Sequence, residues 1–179
     1  MKKLTGLVLL GITLVLLPPA LHAAATGAVS AKIALEFEGK SFPMSSAQVT
    51  ILDKEIDLGV VDFRAQQDAE KSKNKKYSYH LFRYNYLVRE IENSRRNGVR
   101  QIRSGIVTQR ADNKGEVLVR YLEPGDYFIG AYRKMGQRAV VWLVPFSITA
   151  GRVAQVNLDN NNAFEFYDPE LYPQRLPLN

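Results

Sequence analysis

The run Asp112–Ala131, DNKGEVLVRYLEPGDYFIGA, decides how the rest of the chain is read. Asp112-Asn113-Lys114-Gly115 is turn chemistry, because Asn and Gly tolerate positive φ. Val117, Val119 and Tyr121 then alternate with Glu116, Leu118 and Arg120, the period of a half-buried strand. Glu123-Pro124-Gly125-Asp126 reverses the chain, Pro fixing φ and Gly supplying φ > 0. Tyr127, Ile129 and Ala131 alternate once more. Two short strands joined by a tight turn are the unit of an antiparallel sheet.

The same grammar extends in both directions. Upstream, Ile33, Leu35 and Phe37 alternate with charged neighbours until Glu38-Gly39-Lys40, Val49 and Ile51 suggest a second strand, and Val60-Val61-Asp62-Phe63 a third. A strand is expected over Ile102–Gln109. Downstream, Met135-Gly136 turns, Ala139–Val144 is nearly all apolar, as a strand buried on both faces would be, and Val153, Val156 and Leu158 close the series. Closely spaced strands with no strand–helix alternation predict a mainly β, antiparallel sandwich of seven or eight strands.

One segment breaks the pattern. Ala65–Asn97 contains no Gly and no Pro, and Tyr77, Leu81, Tyr84, Val88 and Ile91 recur at spacings of 4, 3, 4 and 3. That is one stripe of a helix stopped by Asn97-Gly98, so a single helical insertion is expected at about residues 65–98. At about 100° per residue, Tyr79, Phe82 and Tyr86 fall on the opposite side, flanked by Arg83 and Arg89. Docking on the sandwich accounts for one apolar face only. Aromatics interleaved with arginines suit a protein hot spot or an anionic or sugar-containing polymer. Tyr79, Phe82, Arg83, Tyr86 and Arg89 are therefore the candidate binding residues.

Met1-Lys2-Lys3, the uncharged run Leu7–Leu17, Pro18-Pro19 and the small residues Ala20–Ala25 follow the plan of a secretory signal peptide over residues 1–25. Eleven apolar residues fall short of the roughly 20 that span a bilayer, and without cysteine no lipid anchor follows the leader. The expected destination is the periplasm or the exterior, with no transmembrane segment after cleavage. Removal of residues 1–25 takes the formal charge from +6 to +4. The charge is uneven: between Arg64 and Arg103 11 basic residues face 4 acidic ones, while in the rest of the chain after the leader 11 basic residues face 14 acidic ones. In that compartment the partner is an envelope protein or an anionic or sugar polymer, not nucleic acid. Residues 26–163 make the domain. Residues 164–179, aromatic and acidic, make a tail expected to pack on it, and the second helix face is left either to this tail or to a partner.

The positions Thr108, Asp112, Gly115, Val117, Val119, Leu122, Pro124, Gly125, Tyr127, Ile129 and Ala131 resemble the pattern of carboxypeptidase regulatory-like domains, which are transthyretin-like (prealbumin-like) sandwiches grouped with carbohydrate-binding-like folds. Trp142 and Val156-Asn157-Leu158-Asp159-Asn160 resemble the closing strands of bacterial members, so the resemblance spans roughly residues 30–162. It implies the sandwich, with Leu122 plugging its core. It also implies, as an alternative, a carbohydrate-binding module with Trp142 or the Tyr79/Phe82/Tyr86 set as an exposed platform. The fold's enzymatic branch, which hydrolyses hydroxyisourate, relies on several histidines, whereas His80 is this chain's one histidine after the leader. No Gly-x-Ser-x-Gly, HExxH, phosphate loop or Cys/His spacing is present, so no catalytic residue, cofactor or metal is expected. Asp159-Asn160-Asn161-Asn162 offers oxygen ligands to a hard cation, but such a run is more often a plain polar loop.

Overall fold

The computed structural model describes residues 25–97 and 108–167. In chain order the elements are β1 (Gly27–Phe37), β2 (Lys40–Pro43), β3 (Gln48–Leu52), α1 (Leu58–Glu70), α2 (Lys75–Asn97), β4 (Thr108–Arg110), β5 (Glu116–Leu122), β6 (Gly125–Met135), β7 (Arg138–Ile148), β8 (Val153–Leu158) and β9 (Ala163–Tyr167). They build a mainly β, two-sheet sandwich with two helices.

In the first sheet β1 is central, antiparallel to β2 and β5 and parallel to β8. That parallel pair departs from the all-antiparallel expectation. The second sheet runs β4-β3-β6-β7-β9, all antiparallel. Alternate residues of the two sheets meet in one core: Val29, Ala31, Ile33 and Leu35 of β1 with Ile51, Ile129, Val140 and Trp142. Gly115 closes the turn before β5 at φ +75°, and a Cβ there would stand 2.3 Å from the Ile33 carbonyl oxygen. Only glycine satisfies both conditions.

The other face of the second sheet is also covered. Leu52, Ala139, Val141 and Tyr167 form a second core with Val61 of α1 and Tyr84, Leu87 and Ile91 of α2. The apolar run Ala139–Val144 follows from this: Val140 and Trp142 point into the sandwich, and Ala139 and Val141 toward the helices. The helical layer comes close because β6 carries a glycine where Ile91 lands. A Cβ on Gly130 would meet three Ile91 carbons at 3.0–3.3 Å.

Several expectations are corrected here. Val60-Val61-Asp62-Phe63, read as a strand, belongs to α1, so the insertion holds two helices and starts before residue 65. Asp57 caps it, its Oδ1 accepting the Val60 N–H at 3.1 Å, and Val61, Ala65 and Ala69 form a buried i, i+4, i+8 stripe. That tertiary stripe overrides the β-preference of two adjacent valines. Tyr121, placed on the core stripe with Val117 and Val119, is 57% exposed. The register between β1 and β5 shifts at Gly27/Ala28 and Tyr121 takes φ +64°, so a bulge turns it outward and lets Leu122 take the core position. Nine strands are present among the described residues, and residues 164–167, assigned to the tail, lie within β9. The strand expected at Ile102–Gln109 is described only from Thr108. The leader, Asn97-Gly98 beyond Asn97, and the tail after Tyr167 lie outside the described residues.

Candidate functional site: the helical hairpin

The two helices are stitched face to face by polar side chains. Arg83 is the hub. Its Nε donates to Asp62 Oδ1 of α1 at 2.6 Å and its Nη1 to Glu165 Oε2 of β9 at 2.6 Å. Its guanidinium lies 4.6 Å from the centre of the Phe164 ring. Burial works to lower the Arg83 pKa, but the hydrogen bonds to the two carboxylates more than offset this and raise it. Glu165 is 4% exposed and has both oxygens engaged, the second 2.9 Å from His80 Nδ1. Tyr79 sets its ring edge-on to His80 at 5.2 Å, and burial raises its phenol pKa.

Farther along the hairpin the Tyr86 hydroxyl donates to Asp68 Oδ2 at 2.5 Å, and Lys71 Nζ bonds the other oxygen at 2.9 Å. These two contacts, Lys71 the stronger, hold the Asp68 carboxyl below its ordinary range. Lys75 pairs with Glu70, and Arg64 with Glu90 at 3.3 Å. Much of the basic excess read in the sequence thus faces carboxylates of the same hairpin.

The five candidate residues are distributed as follows. Tyr79, Phe82, Arg83 and Tyr86 are partly buried and Arg89 is exposed. The second aromatic face of α2 has a neighbour, α1, which the sequence presented as a strand. Arg83 and Tyr86 serve as internal links, while Phe82 and Arg89 reach the outer surface in part or in full. On the docking side the stripe Leu81, Tyr84, Val88 and Ile91 is present, with Leu87 fully buried beside it. The Tyr77 side chain lies outside the described residues.

Sequence reasoning missed the outer face of α1. Phe63 is 62% exposed and Val60 40%, two apolar side chains one turn apart, and Phe63 borders a shallow groove with Gln66, Gln67 and Glu70. The signal was present as Asp57 followed by an i, i+4 pattern, but the Val-Val pair masked it.

Elsewhere, Trp142 is fully buried, its Nε1 donating to the Asp159 carbonyl at 2.9 Å. It does not form the exposed platform expected of a sugar-binding module. The side chains of Asp159, Asn160 and Asn162 are tied to the chain itself. Asn160 bonds both the N–H and the C=O of Glu36, at 2.7 and 3.0 Å, extending the ladder of β1 where β8 has ended. Asp159 accepts the Asn161 N–H, and Asn162 accepts the Asp159 N–H and donates to the Asn157 carbonyl.

No protein-family model matches the chain, and neither does any curated protein. Among solved structures it is similar to the minor pilin GBS52 of Streptococcus agalactiae, at 10% identity over 76% of this chain and 44% of that one, with a TM-score of 0.44. It is also similar to a candidate carbohydrate-binding protein from Pseudomonas aeruginosa, at 10% identity over 76% and 89% of the two chains, TM-score 0.38. A third similarity is to the pilus backbone protein RrgB of Streptococcus pneumoniae, at 12% identity over 73% and 40%, TM-score 0.32. The chain spans less than half the length of the two pilins. Among the described residues no helix is long and apolar enough to cross a membrane.

Proposed function

We propose that the chain is an exported, non-enzymatic binding module of the cell envelope, periplasmic or secreted, whose helical hairpin meets a protein partner. The observation that supports this reading is the polarity of the hairpin. The Arg83 pairs to Asp62 and Glu165 tie α1, α2 and β9 together on the inner side, while Phe63 and Val60 stand in solvent on the outer side of α1. An exposed aromatic rimmed by Gln66, Gln67 and the acidic Glu70 fits a protein surface better than a polyanion. The leader sequence supplies the compartment.

A photoreactive amino acid introduced at position 63, in the cell that exports the chain, should yield one defined adduct. The same residue at Lys114, on the sandwich, should not. Phe63→Ser should abolish capture of that partner at an unchanged melting temperature, and equal adducts from both positions would remove the hairpin as the binding surface. The sugar-binding reading has lost its Trp142 platform, and of its other set Tyr86 is bonded to Asp68 and Tyr79 is packed edge-on to His80.

A further inference from the structure

The end of the sandwich where the chain enters β1 is built differently from the hairpin. Thr26 is held by the Gly151 N–H at 3.0 Å, and the Ala28 N–H bonds the Arg152 carbonyl at 3.0 Å. Ala28 pairs with Arg120 on one side and Val153 on the other, which places Arg120, Tyr121, Arg152 and Val153 around one small residue. Tyr121 is 57% and Val153 53% exposed, and both arginines are exposed with no ion-pair partner among the described residues. In the turn that follows β5, Glu123 is half-buried and Asp126 accepts a hydrogen bond from Ser147.

We propose that this end of the sandwich, through Arg120, Tyr121, Arg152 and Val153, contacts an anionic phospholipid bilayer. Two independent observations select that occupant. The first is where the rest of the chain goes. The apolar run ends at Leu17, nine residues before Thr26, and nine residues reach no farther than about 32 Å. As long as a membrane-bound leader is attached, this end of the sandwich is therefore held close to the bilayer. The second is the chemistry. A phenol that seats at headgroup depth, an apolar neighbour and two unpaired guanidiniums are the set that an anionic interface accepts. Tyr121 also occupies a left-handed backbone position that glycine would fill without strain, so the ring is present against the local backbone preference.

The test is co-sedimentation of the processed chain, purified from the exporting cell, with vesicles of phosphatidylglycerol and phosphatidylcholine and with vesicles of phosphatidylcholine alone. Binding is expected on the anionic vesicles only and should weaken with added salt. Arg120→Gln and Arg152→Gln should each reduce partitioning about fivefold, from roughly one headgroup interaction lost per arginine. Tyr121→Gly should reduce it as well, with a melting temperature that is unchanged or higher. Equal binding to neutral vesicles, no binding, or arginine variants that bind like the parent at an unchanged melting temperature would overturn the proposal. So would a concentration-dependent dimer dispersed by Tyr121→Gly, which would assign this end to a second copy of the chain.

Discussion

Glu165 on the last described strand accepts a 2.6 Å hydrogen bond from Arg83 on α2, 82 residues earlier in the chain. The side chains are 5% and 13% exposed, so this pair joins the C-terminal edge of the second sheet to the helical layer away from solvent. Removing one partner of such a pair strands the other's charge or hydrogen-bonding capacity. Glu165→Ala should lower unfolding free energy by about 3 kcal/mol. The double change Arg83→Met, Glu165→Met should cost less than the sum of the two single changes, since neither charge is then left behind. Urea midpoints of the four proteins measure the cycle, and strict additivity would mean that the two residues act independently.

The alkaline limb of stability should carry the signature of Tyr84. Burial first, and the neighbouring Glu92 second, push its phenol up to about 12 from an ordinary 10.0. A group whose folded pKa is raised contributes stability that is fully present below the unfolded value and is lost as pH rises through the folded one. Stability should therefore fall between pH 10 and about 12. Tyr84→Phe should flatten that decline when denaturant midpoints are followed across the range.

The approach of α2 to the second sheet depends on the missing side chain at position 130. Gly130→Ala puts a methyl group 3.0 Å from Ile91 Cγ1, and the overpacking should cost about 1–3 kcal/mol. Combining it with Ile91→Ala should cost less than the two changes taken separately, because the truncated residue leaves space for the new methyl. Thermal melts of the three variants decide the matter.

The sandwich was legible because its strands alternate and its turns need particular residues. Asp112–Gly115 and Glu123–Asp126 punctuate the chain as their turn chemistry requires, and the Asp112 carboxylate bonds the N–H groups of Lys114 and Glu116. Less legible was anything in which one layer alters the reading of another. Val60-Val61 has the local character of a strand, and only the spacing of Ala65 and Ala69, buried under α2, makes it a helix. The bulge at Tyr121 escaped for a related reason. A period-two pattern says nothing about an extra residue, and Tyr121 is apolar enough to continue it.

The hairpin site was half visible. Periodicity identified two faces on α2 and placed Leu81, Tyr84, Val88 and Ile91 on the docking face, but not Leu87. It could not say what covered the second face, because α1 had been assigned to the sheet. Arg83 and Tyr86 were noticed as aromatic and cationic, but their partners Asp62, Asp68 and Glu165 are apart from them in sequence and share no motif with them. The cation candidate at Asp159–Asn162 shows the opposite case, in which Asp159, Asn160 and Asn162 are polar for the sake of a loop that closes β8.

The central place of β1 has a consequence for the order of assembly. Its two long neighbours are β5, residues 116–122, and β8, residues 153–158, so the first strand made is completed by strands that arrive much later. The α1–α2 pair and the β6–β7 ribbon close short loops and suit early formation. Closing the loops from β1 to β5 and β8 is entropically slow, and until that step β1, paired only with nearby β2 over Ala34–Phe37, displays unpaired edges over Gly27–Ile33 and an apolar face. A chain made from its N-terminus must therefore keep Val29, Ile33 and Leu35 out of unwanted β pairing for most of its synthesis. The span most in need of a holding chaperone is thus the first strand, which ends up among the best protected.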